Sequence, residues 1–89
     1  MELVSYTIYS TPTCHYCGLL KNWLGENNVA FENKDVATDM AARTEMVEKS
    51  QQLGVPVSIL KFKEGDDFVE KVVIGFDQPQ IGSLLNISA

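Results

Sequence analysis

The chain has 89 residues, of which 45% are hydrophobic and 21% charged, and its net charge at pH 7 is −5. This length predicts a single domain over residues 1–89 with one small core, and the hydrophobic fraction is typical of a folded protein. The negative charge argues against a nucleic-acid partner, because no basic patch is present to neutralise phosphates. Membrane association is not expected, since no apolar stretch approaches the ~20 residues of a membrane span.

The first half of the chain predicts a strand, a helix and a second strand. Apolar and polar residues alternate over residues 4–9, which is typical of a strand. Pro12 interrupts this pattern, and a helix with one apolar face is predicted over residues 18–24. A second short strand is predicted over residues 29–36. The residues predicted on the apolar face of the helix are Leu19, Leu20, Trp23 and Leu24.

A second helix is predicted after the second strand. Either Thr38 or Asp39 can cap its N-terminus, because both side chains can accept a hydrogen bond from the first turn. Helical spacing predicts that Leu53 points inward, and Gly54 is predicted to end the helix.

The last part of the chain predicts two strands and a helix. The third strand follows Val55-Pro56, a turn is predicted over residues 64–67, and the fourth strand over residues 68–74. Asp77 is predicted to cap the final helix. The order β-α-β-α-β-β-α predicts an α/β fold with a parallel first pair of strands and a final hairpin. Helices are expected on both faces of a small mixed sheet.

Cys14-His15-Tyr16-Cys17 carries the strongest functional signal, and it contains both cysteines of the chain. The pair follows a predicted strand and opens a predicted helix, where unpaired backbone N–H groups and the helix dipole favour a thiolate. Such positions can lower the pKa of a cysteine to roughly 3.5–7.5. A second thiol at this spacing can close an intramolecular disulfide with the first. The motif therefore indicates redox chemistry.

The N-terminal residues predict the compartment of the protein, and the compartment bears on the role of the cysteine pair. Met1-Glu2-Leu3 has no basic region ahead of an apolar block, so no secretory signal is expected. We therefore expect a cytoplasmic protein. Because structural disulfides are rare in the cytosol, a catalytic cysteine pair is the better explanation of the motif there. We also expect a monomer.

Three motifs resemble those of the glutaredoxins in kind and in order: Thr11–Cys17, Gly54–Val57 and Gly75-Phe76-Asp77. The resemblance to small bacterial glutaredoxin-like proteins runs from about Val4 to Leu85. It implies a thioredoxin-like fold with a four-stranded mixed sheet, and a thiol–disulfide oxidoreductase that acts on protein or glutathione mixed disulfides. It further implies glutathione as a co-substrate, with no bound cofactor and no metal.

The resemblance also implies roles for individual residues. Cys14 matches the exposed nucleophile, and Cys17 matches the more buried cysteine that resolves the mixed disulfide. Val55-Pro56 matches a cis peptide packed against the pair, with the backbone of Val55 open to an extended substrate. The other residues at the implied substrate or glutathione site are Thr13, Tyr16, Gly75, Phe76 and Asp77.

The sequence departs from the glutaredoxin pattern at three points. His15 replaces the common proline, so that its imidazole either stabilises the Cys14 thiolate or is merely exposed. Tyr16 beside it either covers the pair or packs on the first helix. Ile74-Gly75 replaces the usual Gly-Gly, and Ser10-Thr11 replaces a basic residue. The segment Ile74–Phe76 also resembles redoxins that serve ribonucleotide reductase, so the reductant is open between glutathione and thioredoxin reductase.

A second function, from another class, is binding or transfer of an iron–sulfur cluster by a dimer. Some glutaredoxins hold a cluster through the nucleophilic cysteine and glutathione, and the missing proline after Cys14 could permit this. Brown colour after anaerobic expression would support it. A zinc site is disfavoured, because Cys14, His15 and Cys17 supply at most three ligands and converge poorly on a tetrahedral ion.

Overall fold

Seven elements follow one another in the predicted order β-α-β-α-β-β-α in a computed structural model that describes residues 2–87. Their bounds are β1 Glu2–Ser10, α1 His15–Glu26, β2 Glu32–Asp35, α2 Met40–Ser50, β3 Val57–Glu64, β4 Asp67–Ile74 and α3 Gln78–Leu85. Within the described residues, no helix is long and apolar enough to cross a bilayer.

The four strands form one mixed sheet in the order β2-β1-β3-β4. Strands β1 and β2 are parallel, while β3 is antiparallel to both β1 and β4, which confirms the predicted parallel unit and hairpin. Ser10 pairs with Asp35, and Val57 pairs with both Tyr9 and Ile74. The loops that follow β1 and β4 and the loop that precedes β3 therefore meet at one end of the sheet.

Apolar side chains fill both faces of the sheet, which confirms the predicted layers. Helices α1 and α3 cover one face and α2 covers the other. The buried residues on the α1 and α3 side are Tyr6, Ile8, Leu20, Leu24, Leu60, Phe62, Val73 and Ile81. Those on the α2 side are Tyr9, Val36, Ala42, Met46, Val57 and Ile59.

The apolar face of α1 is narrower than predicted. Leu20 and Leu24 are fully buried and Trp23 packs against the same cluster, whereas Leu19 is 38% exposed. Successive side chains of a helix point about 100° apart, so Leu19 lies outside the helix face that Leu20 and Leu24 share.

The second helix begins as predicted and ends early. Asp39 is its N-cap, with Oδ1 accepting a hydrogen bond from the Ala42 N–H at 3.1 Å, which decides between the two predicted caps. Gln51 adopts a left-handed conformation with φ of 60°, so α2 stops there and not at Gly54. The inward position predicted for Leu53 is wrong, since its side chain is 70% exposed beyond the end of the helix.

The remaining elements differ from prediction mainly in length. Strand β2 covers Glu32–Asp35 only. Val29 and Phe31 lie in an irregular segment ahead of the strand and pack against the core on the α1 and α3 side of the sheet. Asp77 caps α3 as predicted, with Oδ1 accepting from the Gln80 N–H at 3.1 Å.

A hydrogen-bonded cluster joins α2 to the sheet. The buried Tyr9 donates its hydroxyl proton to Glu45 Oε1, which also accepts from Lys34 Nζ at 3.1 Å. Both hydrogen bonds lower the pKa of the Glu45 carboxyl group below its usual value, and the bond from Tyr9 contributes more than the bond from Lys34. Burial raises the pKa of the Tyr9 hydroxyl, and the contact with the Glu45 carboxylate raises it further.

This cluster predicts a pH-dependent contribution to stability. A carboxylate with a lowered pKa in the folded state stabilises the protein above its unfolded pKa and loses that effect as the pH falls through the folded pKa. We expect Glu45→Gln to reduce the free energy of unfolding by less than about 1 kcal/mol at pH 7, because the pair is partly solvated. The difference from the unmodified protein should vanish in acid, as measured by urea unfolding across pH.

Glu48→Gln is the matched control for this experiment, because it removes the same charge from an exposed position of α2. A difference between the protein and Glu45→Gln that persisted undiminished in acid would contradict the assignment of the effect to the Glu45 carboxylate.

Candidate active site

A disulfide joins Cys14 and Cys17 at the start of α1, with their Cα atoms 5.3 Å apart. Cys14 is the N-cap residue, in an extended conformation, and the helix begins at His15. The backbone N–H of Cys17 donates to Cys14 Sγ at 3.1 Å, so this sulfur occupies the place of a capping oxygen. It therefore lies at the positive end of the helix dipole, where negative charge is stabilised.

The two sulfurs differ in accessibility. Cys17 is 1% exposed and belongs to the buried face of α1, whereas Cys14 is half-buried. Cys14 is consequently the sulfur that a dissolved molecule can reach, and Cys17 lies behind it.

The loop before β3 lies against the pair. The peptide bond between Val55 and Pro56 is cis, as the resemblance implied. Cys14 Sγ lies 3.9 Å from the carbonyl oxygen of Val55, although the two residues are far apart in the chain. Pro56 is buried, while Val55 is half-buried and borders the disulfide.

The segment after β4 joins the same site through a backbone hydrogen bond. The Gly75 N–H donates to the Pro56 carbonyl oxygen at 2.9 Å. Gly75 has a φ of 79°, which glycine adopts more readily than other residues. The Phe76 ring packs edge-on to the Trp23 ring, with centroids 6.0 Å apart, while the carboxylate of Asp77 caps α3. These contacts anchor Gly75 and its neighbours beside Pro56.

Three predicted site residues lie at the surface. Thr13 and His15 are exposed, and Tyr16 is 62% exposed in the first turn of α1. The His15 and Tyr16 rings meet edge to face, with centroids 5.6 Å apart. The tuning roles of His15 and Tyr16 stay predictions.

Leu53 is a neighbour of the site that the sequence analysis placed in the core. It lies two residues before Val55, with its side chain in solvent. Its sequence context carried a signal for this position, because Gly54 and Pro56, which follow within three residues, are typical of a loop and not of a helix interior.

Within residues 2–87, no group of three or more His, Cys, Asp or Glu side chains is arranged to hold a metal ion. The iron–sulfur function depends on a second subunit and on glutathione, and it stays a prediction.

The sequence model of the glutaredoxin family matches residues 6–61, which is more than half of the chain and includes Cys14, Cys17 and Val55-Pro56. The chain belongs to the glutaredoxin family. Its curated relatives include an uncharacterised glutaredoxin-like 8.6 kDa protein in the rubredoxin operon of Clostridium pasteurianum. That protein is 38% identical over 78 residues, which cover 88% of this glutaredoxin and 93% of the relative.

Solved structures agree with a thioredoxin-like fold. A crystal structure of a variant of the thioredoxin-like protein BC3987 matches with a TM-score of 0.78 and 32% identity, covering 96% of this glutaredoxin and 99% of that chain. The crystal structure of a glutaredoxin from Archaeoglobus fulgidus matches with a TM-score of 0.71, covering 91% and 85% of the two chains. At 21% identity, this second match supports the thioredoxin-like fold alone.

Proposed function

We propose that this glutaredoxin is a thiol–disulfide oxidoreductase that reduces protein or glutathione mixed disulfides through Cys14 and Cys17. The observation that carries the proposal is the asymmetry of the pair. Cys14 Sγ is accessible at a helix N-terminus and accepts an N–H bond from Cys17, whose own side chain is 1% exposed. This arrangement favours the thiolate of Cys14, which is the reactive form of a cysteine.

The first step is attack of the Cys14 thiolate on one sulfur of a substrate disulfide. The substrate S–S bond breaks, a Cys14–substrate disulfide forms, and the departing thiolate takes a proton from water. In the second step Cys17 loses its proton and attacks Cys14 Sγ, which releases the second substrate thiol. Two electrons pass from the cysteine pair to the substrate, and the pair ends as the Cys14–Cys17 disulfide.

Substrate binding is assigned to the three segments that meet at the disulfide. The backbone of Val55 contacts an extended substrate beside Cys14, and Thr13 and Tyr16 line the approach. Gly75 and Phe76 form the opposite side. The first turn of α3, which Asp77 caps, offers backbone N–H groups to a glutathione carboxylate. His15 and Tyr16 tune the reactivity of the pair.

Glutathione or thioredoxin reductase returns the pair to the dithiol form in this proposal, and the protein acts as a cytoplasmic monomer without a bound cofactor.

The test is NADPH oxidation coupled either to glutathione with glutathione reductase or to thioredoxin reductase, with 2-hydroxyethyl disulfide as substrate. We expect turnover with at least one system. Rates with both systems that do not exceed those of Cys14→Ser would contradict the proposal.

A further inference from the structure

The first half of β1 has an open edge, at the end of the sheet opposite the cysteine pair. Strand β2 pairs only with residues 7–10 of β1. Within the described part of the chain, no strand therefore lies beside residues 3–5 on that side, although β3 pairs with them on the other. An unpaired strand edge exposes backbone N–H and C=O groups, and another extended chain can pair with them.

A β-bulge lies within this open segment. The register of β1 on β3 shifts between Leu3 and Ser5, which leaves Val4 without a partner on β3. Bulges bend a strand, re-aim a side chain and interrupt regular pairing. The Val4 side chain is 49% exposed, so the open edge presents an apolar contact, and the bulge limits regular pairing there to a few residues.

A groove of about 230 Å³ adjoins the open edge. It lies between β1 and the chain segment that leads into β2, and its lining residues are Val4, Ser5, Tyr6, Ala30, Phe31 and Glu32. Pockets for small molecules typically measure roughly 300–1,000 Å³. This groove is smaller, and it suits one or two side chains of a peptide whose backbone pairs with the edge of β1. We name the groove and the edge of residues 3–5 together the edge groove.

The two outer strands of the sheet are protected against strand addition in a way that the edge groove is not. Strand β2 has four residues, and three of them are charged. Strand β4 carries the charged residues Asp67, Glu70 and Lys71. Short length and charged side chains hinder pairing with a further strand. Residues 3–6 carry no charged side chain, so the edge groove is the part of the sheet boundary best suited to receive a strand.

The electrostatic surroundings of the edge groove favour a cation. Glu32 lines the groove and is exposed. Helix α1 ends at Glu26 with no basic side chain in its last turn, and the N–H of Val29 donates to a carbonyl oxygen of that turn at 2.9 Å. The negative end of the helix dipole therefore lies beside the groove wall without a compensating charge. The ammonium group of Lys61 is directed to the β4 side, where it lies 4.7 Å from the centroid of the Phe68 ring.

A second copy of this chain fits the edge groove poorly. Antiparallel pairing of two β1 edges about Val4 would set Glu2 of each copy opposite Tyr6 of the other. That position lies directly ahead of Glu32, because β2 begins opposite Thr7. Like charges would meet at both ends of such a pair, which is destabilising. A segment with a basic residue at the same position meets the opposite charge.

We propose that the edge groove docks an extended segment of a partner protein, in which apolar residues alternate with at least one lysine or arginine. The segment adds as a short strand beside residues 3–5, with an apolar side chain on Val4 and the basic group near Glu32. Five strand residues, or roughly 17 Å, separate Ser5 from Ser10, which precedes the cysteine loop. A partner docked here leaves the cysteine pair open to substrates, so the site is additional to the proposed oxidoreductase function.

The test is an NMR titration of the oxidised, ¹⁵N-labelled protein with two synthetic peptides that differ only in charge. The basic peptide is acetyl-Lys-Val-Thr-Val-Lys-Val-amide, and the acidic peptide has glutamate in place of both lysines. We expect the basic peptide to shift the amide signals of residues 4–6 and 30–32 in a saturable way. Its affinity should exceed that of the acidic peptide by at least about tenfold, because the surroundings of the groove are negative.

Two variants separate the apolar contact from the charge. Val4→Ser should weaken binding of the basic peptide by about fivefold through loss of apolar contact. Phe68→Ser is its matched control, because Phe68 is 55% exposed on β4, away from the edge groove. Glu32→Gln should lower the preference for the basic peptide by about fivefold, whereas Glu48→Gln, at an exposed position of α2, should leave it unchanged. The amide spectrum of each variant without peptide checks its fold.

Several outcomes would overturn the inference. These are the absence of saturable shifts, equal affinities for the two peptides, shifts confined to other parts of the protein, and equal weakening in Val4→Ser and Phe68→Ser. Concentration-dependent shifts of residues 4–6 without any peptide, together with sedimentation of a dimer, would show that a second copy occupies the edge groove instead of a basic partner segment.

Discussion

Replacing Cys14 with serine is expected to abolish disulfide reduction, with a loss of at least about a thousandfold. A serine hydroxyl is scarcely ionised near neutral pH, and it cannot form the mixed disulfide on which the exchange depends. The capping hydrogen bond from the Cys17 N–H can still be accepted by serine, so α1 should begin as before. The measurement is the initial rate of 2-hydroxyethyl disulfide reduction, with circular dichroism to check the fold.

Cys17→Ser is the informative partner of this variant. Cys14 remains accessible, so the first exchange should proceed and leave substrate attached to Cys14, which mass spectrometry would detect as an adduct. Full turnover by Cys17→Ser with glutathione would indicate a route that uses Cys14 alone. Activity in Cys14→Ser would contradict the assignment of Cys14 as the nucleophile.

Replacing Leu24 with alanine is expected to reduce the free energy of unfolding by about 3 kcal/mol. Leu24 is fully buried between α1 and the sheet, and removal of a buried leucine side chain costs roughly 2–5 kcal/mol through lost transfer energy and the cavity that remains. Small domains are commonly stable by only about 5–15 kcal/mol, so this loss is a large share of the total. Urea unfolding of the oxidised protein measures it.

Leu19→Ala provides the control, since it makes the same change in the same helix at a side chain that is 38% exposed. We expect a loss of less than about 1 kcal/mol, because little apolar surface returns to water and little cavity forms. Equal losses in the two variants would show that the buried face of α1 is not the one described.

Local patterns predicted the elements whose interactions lie within a few residues. The alternation over residues 4–9 predicted β1, and the caps at Asp39 and Asp77 depend on backbone N–H groups three residues away. Helical spacing placed the end of α2 too late. Helical spacing continues to Leu53, but the chain turns at Gln51 so that Val55 and Pro56 can reach the sheet.

Strand β2 shows the same limit. Val29 and Phe31 are apolar, as expected for a strand, yet they only pack against the core on the α1 and α3 side. The backbone pairing of β2 with β1 begins at Glu32, which is opposite Thr7. Strand length depends on the partner strand and on what covers it, and neither is visible in the segment itself.

By itself, the amino-acid sequence determined the redox character of this protein. Cys14 and Cys17 stand between a strand pattern and a helix pattern, and helix-start chemistry acts over a single turn. The family resemblance implied that Cys14 is the more exposed cysteine, whereas the tertiary structure alone decided that the Val55 carbonyl oxygen lies 3.9 Å from Cys14 Sγ and that Gly75 bonds to Pro56. Such contacts join distant residues, so they depend on strand pairing and on burial beneath other elements, which no local pattern specifies.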